Sequence, residues 1–200
     1  MIRESPLKIS QRKLLLVEGK EDERFFAALI EHLCLVQIQV IPFGGKPKLG
    51  PFLRALVMDS SFDAVESIGI VRDSDTSPDS AFQSVSTALA QCKLPAPSTT
   101  LEAVGDKPHV AVMILPDMDS SGSLEDICLR SVAGDPAMRC VDGFFDCLKK
   151  QDLRVGNHAK ARAQAFLASR AKTGLRLGEA AECGYWPWQK PVVPGHHSVP

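Results

Sequence analysis

Short apolar runs alternate along the chain with longer segments in which apolar residues recur every three or four positions. The short runs are typical of buried strands in a parallel sheet, and the spaced segments are typical of helices with one buried face. Strands are predicted over residues 13–17, 37–43, 68–71 and 109–115. Helices are predicted over residues 21–33, 49–58, 80–92, 144–151 and 159–171, and a short helix is predicted after Ser123. This order predicts an α/β fold with a mainly parallel sheet of about four strands, flanked by helices.

The pattern changes after the fourth predicted strand, where helical segments follow one another without further strands. We expect a core domain over residues 1–132, a basic helical C-terminal extension packed on it over residues 133–183, and an irregular tail over residues 184–200. Trp186 and Trp188 lie in that tail. Packing of these rings on the domain is favoured over stacking on nucleic-acid bases.

Acidic residues follow three of the four predicted strands. Glu18 follows the first, Asp73 and Asp75 follow the third, and Asp117 follows the fourth. The carboxyl ends of parallel strands share one edge of the sheet, and open α/β sheets keep their chemistry at that edge. If the third strand continued through Asp75, then Asp73 and Asp75 would point to the same face.

Two further acids begin the helix after the fourth strand, where Ser123 and Asp126 fit a capping box. Carboxylates gathered at one edge repel each other unless a cation or a proton compensates them, and Mg²⁺ binds such oxygens. The sequence therefore predicts a Mg²⁺ or Mn²⁺ site. Its candidate ligands are Glu18, Asp73, Asp75, Asp117, Glu125 and Asp126.

Basic residues are concentrated in the last third of a chain whose formal net charge is −1. Between Lys149 and Arg176 there are eight Lys or Arg residues and one acid, Asp152. Such a run favours either contact with phosphates or a solvated helix face. The candidate nucleic-acid contacts are Lys20, Lys149, Lys150, Arg154, Lys160 and Arg162.

The sequence carries no signal for a membrane or an oxidising compartment. No apolar stretch approaches the roughly 20 residues of a membrane span, and the first residues do not form a secretory signal. The six cysteines are scattered, without a Cys-x-x-Cys pair. We expect a cytoplasmic protein with reduced thiols and no membrane association.

Two of these motifs taken together resemble the Toprim domain. The segment LVEGKED at 16–22 is followed by VRDSD at 71–75, with a strand and a Gly-Gly turn at 40–45 between them. The Toprim domain is shared by topoisomerases, bacterial primases, RecR-type repair proteins and OLD-family nucleases. The resemblance covers roughly residues 12–130 and is nearest to the small stand-alone members.

The resemblance implies metal-dependent chemistry on nucleic acid, most simply that of a nuclease. It implies that Glu18 is a general acid or base or a metal ligand, and that Asp73 and Asp75 bind Mg²⁺. Asp117, Glu125 and Asp126 lie where OLD-type nucleases place further ligands, and Lys160 could stand in for a lysine near the scissile phosphate. Strand passage is not expected, because the only tyrosine, Tyr185, lies in the tail.

Three other interpretations stay open. The first is a non-catalytic Toprim-like module that binds nucleic acid or a partner protein, as RecR-type proteins do without cutting. Asp73-Ser74-Asp75-Thr76 also fits the Asp-x-Asp-x-Thr motif of haloacid dehalogenase-type phosphatases, in which the first aspartate is a nucleophile. That alternative leaves Glu18 without a role and lacks a well-placed lysine. Finally, some of these acids could be helix caps or solvated loop residues.

Overall fold

A computed structural model describes residues 8–188 of the chain. The strands are β1 (Lys13–Val17), β2 (Ile38–Pro42), β3 (Ser67–Asp73) and β4 (His109–Leu115). The helices are α1 (Lys20–His32), α2 (Leu49–Val57), α3 (Pro78–Gln91), α4 (Leu124–Ser131), α5 (Ala137–Lys150), α6 (His158–Ala168) and α7 (Leu177–Glu182). Short 3₁₀ helices cover Lys46–Lys48 and Phe62–Ala64.

The four strands form one parallel sheet in the order β2-β1-β3-β4. Leu16 in β1 pairs with Ile41 on one side and with Ile70 on the other, and Asp73 pairs with Leu115 at the end of β4. The prediction of an α/β fold with a four-stranded parallel sheet flanked by helices is confirmed.

The chain leaves the two central strands in opposite directions. From β1 it crosses to β2 on one side, and from β3 it crosses to β4 on the other. The strand order therefore reverses between β1 and β3. In open α/β sheets a crevice forms outside the carboxyl ends of the strands at such a reversal, and ligands bind there. Glu18 and Asp73 lie at the ends of these two strands.

Successive apolar side chains along the strands point to opposite faces of the sheet, and on each face they form part of a hydrophobic cluster. On one face, residues such as Leu16 and Ile70 pack against α2 and α3. On the other face, Val17, Val71 and Leu115 pack in one cluster with residues of α1 and of α4 to α7. The helices after residue 133 thus cover the same face of the sheet as α1 and α4.

Two helices differ from the prediction by more than about three residues. Helix α5 begins at Ala137, seven residues before the predicted start at 144, because Met138, Val141 and Phe145 form a buried stripe around the exposed Gly143. Helix α7 was not predicted, since its buried face is made of Leu177 and small residues that carry little periodic signal.

The beginning of the predicted tail packs on the domain. Trp186 is 1% exposed, stacks on Phe166 with ring centroids 5.5 Å apart, and donates its indole N–H to the carbonyl oxygen of Leu177 at 3.0 Å. The ring of Trp188 meets that of Phe25 edge-on at 5.7 Å. The expected packing of both rings is confirmed, and the rest of the tail, from residue 189, lies outside the described residues.

Within residues 8–188, none of the helices has both the length and the apolar character that a membrane-spanning helix needs.

Candidate functional site

Asp73 is the last residue of β3 and the centre of an acidic cluster at the strand-order reversal. Its Oδ1 accepts a hydrogen bond from the backbone N–H of Leu124, the first residue of α4, at 3.1 Å. Burial raises the pKa of Asp73 to about 8, and repulsion from Asp22, Glu18 and Glu125 adds to the rise. We call these four carboxylates the acidic cluster. Such crowding favours binding of either a proton or a cation.

Asp22 is a member of this cluster that sequence reasoning did not select. It lies at the third position of α1, where its Oδ2 accepts from the backbone N–H of Gly19 at 2.7 Å. Burial raises the pKa of Asp22 to about 6, with repulsion from Glu18 and Glu125 contributing. The signal was present in the sequence, because an acid at this position folds back to the helix start and hence to the end of β1.

The start of α4 brings the predicted acids Glu125 and Asp126 to the same edge. Asp126 Oδ2 accepts from the backbone N–H of Ser123 at 2.8 Å, which confirms the predicted capping box. Glu125 Oε2 accepts from the hydroxyl of Ser123 at 2.9 Å, and its charge acts on Asp73. Glu125 therefore belongs to the acidic cluster, while Asp126 is engaged at the helix terminus.

Arg72 supplies a positive charge inside the site that the sequence did not suggest. Its side chain is 1% exposed, although it lies in a strand between Val71 and Asp73. Its Nη1 donates to Glu18 Oε2, so the end of β3 is linked to the residue that follows β1. Glu18 also accepts from the backbone N–H of Lys46 at 3.3 Å through Oε1. Glu18 is thus held by β3 on one side and by the turn after β2 on the other.

Asp75 does not share a strand face with Asp73, because the condition for it, a strand that continues through Asp75, is not met. Strand β3 ends at Asp73, and Asp75 has a φ of +53°, in the left-handed region. The turn is fixed by Ser74, which is 3% exposed and whose hydroxyl accepts from the Gly122 N–H at 2.8 Å. The side chain of Asp75 instead lies near two cations, with Oδ2 2.5 Å from Lys46 Nζ and 3.5 Å from Arg72 Nη2.

Asp117, the predicted ligand after β4, is engaged by a cation of its own. Its Oδ2 lies 2.7 Å from Arg130 Nη1, and its Oδ1 accepts from the backbone N–H of Ser120 at 2.6 Å. The bond from Arg130, with help from Ser120, lowers the pKa of Asp117 to about 2. The acids that contribute most to the raised pKa of Asp73 do not include Asp117.

The predicted nucleic-acid contacts lie on several elements. Lys149 and Arg154 line an open groove between α5 and α6, together with Asp146 and Asp152. Arg162 lines the same groove, but its Nη2 lies 2.5 Å from Asp142 Oδ1. The acids on this surface reduce the positive charge that the sequence alone suggested.

The other three predicted contacts are exposed lysines outside this groove lining. Lys150 lies in α5, Lys160 lies in α6, and Lys20 is the first residue of α1, beside the acidic cluster.

A second groove adjoins the first. It is lined by Asp126 and Arg130 of α4, and it shares Asp142, His158 and Arg162 with the first. The two grooves together extend from the end of α5 to Asp126 at the start of α4.

In the part of the chain that the structure describes, no three His, Cys, Asp or Glu side chains are already arranged to hold a metal ion. The acidic cluster nevertheless offers only oxygen donors, the type that Mg²⁺ and Mn²⁺ accept. Mg²⁺ commonly uses one or two carboxylates and completes its shell with water and substrate phosphate rather than with a protein cage. The donor set is therefore of the right chemistry for such an ion.

Comparison with known proteins places the fold and the family. The crystal structure of hypothetical protein PH0156 from Pyrococcus horikoshii OT3 is similar in fold, with a TM-score of 0.52, 17% sequence identity and 88% of each chain covered. No curated protein matches the chain. The family model described as "Protein of unknown function (DUF3226)" matches residues 12–195, and the chain belongs to that family.

Proposed function

We propose that the chain is a Mg²⁺- or Mn²⁺-dependent enzyme that cleaves phosphodiester bonds in nucleic acid. The observation that carries the proposal is the acidic cluster around Asp73 at the reversal of strand order. A half-buried carboxylate that three others repel is stabilised strongly by a divalent cation, since the cation compensates all of them at once. The position is also the one at which open α/β sheets bind ligands.

Asp73 and Asp22 are the residues that would hold the ion, with Glu125 at the start of α4 and Asp75 beyond the strand as further oxygen donors. Their environments support this assignment, because both Asp73 and Asp22 have a raised pKa and so favour a bound positive charge. A bound Mg²⁺ or Mn²⁺ supplies a Lewis acid for a phosphoryl oxygen and lowers the pKa of a coordinated water.

Glu18 is the residue we propose as general acid or base. It follows β1, faces the same crevice as Asp73, and is fixed there by Arg72 and by the backbone N–H of Lys46. A group that transfers protons must be held within hydrogen-bonding reach of the reacting atoms, and two anchors limit the movement of the carboxylate. Asp22 and Asp73 are held by backbone N–H groups at the starts of α1 and α4.

Nucleic acid is the proposed substrate because a polyanion can lie along the two connected grooves. Lys149, Arg154 and Arg130 line them, and the second groove reaches the residue next to Glu125. Phosphate contacts by such side chains would make binding weaken as salt concentration rises. The acids in the first groove predict a modest slope of affinity with salt rather than a steep one.

Cleavage of supercoiled plasmid and of single-stranded DNA and RNA in Mn²⁺ tests the proposal. We expect cleavage by the native chain, its loss with a chelator, and its loss in Asp73→Ala. Asp106→Ala is the matched control, since Asp106 lies in the exposed loop before β4, at the opposite edge of the sheet. Equal cleavage by native chain and Asp73→Ala would contradict the proposal.

Two further measurements, on a small phosphomonoester and on nucleic-acid binding, separate the other interpretations. Hydrolysis of a small phosphomonoester without nucleic-acid cleavage would favour the phosphatase, with Asp73 as nucleophile. Salt-dependent binding of nucleic acid without cleavage at any Mn²⁺ or Mg²⁺ concentration would favour the non-catalytic module.

A further inference from the structure

The guanidinium of Arg72 has one donor nitrogen that the fold leaves unused. Nη1 donates to Glu18, but Nη2 is fully buried and has no hydrogen-bond partner among residues 8–188. The residue as a whole is 1% exposed. A buried charged donor without a hydrogen-bond partner lowers stability. Its presence here is explained if the site binds a ligand that carries an acceptor atom. Nη2 lies 3.5 Å from Asp75 Oδ2, longer than a hydrogen bond of this type.

The same oxygen of Asp75 contacts a second cation. Lys46 Nζ lies 2.5 Å from Asp75 Oδ2, and about half of each of these two side chains is exposed, 55% for Lys46 and 46% for Asp75. One anionic oxygen thus lies between a buried guanidinium from β3 and an exposed ammonium from the turn after β2. An exposed Lys–Asp pair contributes little to stability, so Lys46 and Asp75 can separate at little energetic cost.

The loop that carries Lys46 is built into the site. Gly44 and Gly45 have φ values of +86° and +104°, which glycine adopts without strain. Their backbone N–H groups donate to the carbonyl oxygen of Glu18 at 3.0 and 2.9 Å. The turn after β2 is therefore fixed to the end of β1, and the ammonium of Lys46 is held at the rim of the crevice.

We propose that Arg72 and Lys46 form a phosphate-binding subsite, and that Asp75 Oδ2 occupies the position of a phosphate oxygen in the absence of substrate. The inference rests on the proposed function, since it names the groups that would hold the substrate phosphate beside the acidic cluster. Guanidinium and ammonium donors are the side chains that bind phosphate oxygens most strongly. Asp75 lies past the end of β3 and is half exposed, so its side chain can leave the two cations, which frees its carboxylate for a bound cation.

Binding of inorganic phosphate to the metal-free protein tests the subsite. The amide NMR signals of Gly45 and Lys46 would be followed in the presence of a chelator, which keeps the measurement local and independent of any metal chemistry. Asp75→Asn removes the competing charge and keeps a side chain that tolerates a left-handed backbone. We expect it to bind phosphate about tenfold more tightly than the native chain, and Lys46→Met to bind about tenfold more weakly.

Lys13→Met is the matched control, because Lys13 begins β1 at the opposite edge of the sheet, and it is expected to bind phosphate as the native chain does. Unchanged phosphate affinity in either Asp75→Asn or Lys46→Met would overturn the subsite. Phosphate binding as expected in a protein that cleaves no nucleic acid would support the subsite and contradict the proposed function. Metal-dependent cleavage without phosphate binding at these amides would support the proposed function and contradict the subsite.

Discussion

The guanidinium of Arg72 donates to the carboxylate of Glu18 across the crevice between β1 and β3. The arginine is buried and the glutamate is about one quarter exposed, at 27%. This contact joins the two strands at the point where the strand order reverses, and it places a fixed positive charge beside the acidic cluster. The pair therefore has both a structural and an electrostatic role.

The first prediction concerns the energetic coupling of this pair. Arg72→Met leaves Glu18 without its cationic partner in a partly desolvated site, and Glu18→Gln leaves the buried guanidinium with Asp75, whose Oδ2 lies 3.5 Å from Nη2, as its remaining carboxylate partner. We expect each single variant to lower the free energy of unfolding and the double variant to recover part of the loss, with a coupling energy of about 2 kcal/mol. Urea denaturation of the four proteins measures it, and additive effects would mean that the two side chains do not interact.

The second prediction concerns the pH dependence of stability without metal. The pKa of Asp73 is raised from its ordinary value of 3.8 to about 8, chiefly by burial. Between these two pH values the folded chain keeps a proton that the unfolded chain loses. The free energy of unfolding should therefore fall as pH rises from about 5 to about 8, by on the order of 1–3 kcal/mol from this residue.

Asp73→Asn isolates that contribution, because an amide has the same shape and does not titrate. Urea denaturation of the chelator-treated proteins across this pH range should give a flatter profile for Asp73→Asn than for the native chain. Parallel profiles would show that Asp73 titrates alike in the folded and unfolded states.

The third prediction concerns the packing of α7 on α1, the helix that carries Asp22. A Cβ at Gly178 would lie 2.5 Å from the Cβ of Arg24 and 2.6 Å from the backbone oxygen of Glu21, so Gly178→Ala must separate the helices. We expect it to lower the free energy of unfolding by about 1–3 kcal/mol. Gly143→Ala is the matched control: it meets nothing within 4 Å in the middle of α5 and should raise the same quantity by about 0.5–1 kcal/mol. A loss of stability in Gly143→Ala as large as that in Gly178→Ala would contradict the explanation.

Much of the fold could be predicted from local pattern. Strands β1 to β4 are short continuous apolar runs, whereas the helices have apolar residues only at every third or fourth position. A helix lies between each pair of successive strands, and such crossover connections are what parallel pairing requires. The strand-end positions of Glu18 and Asp73 followed from the same pattern. Helix α7 could not be predicted, because Gly178 is unfavourable for a helix on local grounds. Its place in α7 is explained only by the close approach of α1, which leaves no room for a side chain.

The electrostatic details of the site could not be predicted, because they depend on contacts between residues distant in sequence. Arg72 and Glu18 are 54 positions apart, and Lys46 and Asp75 are 29 positions apart. Arg72 follows an apolar run. From the sequence alone, a charged residue at that position indicates the end of the strand rather than a buried side chain paired with a distant acid. Similarly, Asp142 lies before the basic run counted in the sequence, yet it pairs with Arg162 in the folded chain.

The most direct measurement is the affinity for Mn²⁺, followed by electron paramagnetic resonance of the free ion at neutral pH. We expect saturable binding that Asp73→Asn weakens at least about tenfold, since it removes the central charge of the acidic cluster. Asp117→Asn should bind Mn²⁺ as the native chain does, because Asp117 is paired with Arg130 and is not one of the acids that contribute most to the raised pKa of Asp73. Equal affinity of the native chain and Asp73→Asn would contradict a metal site at the end of β3.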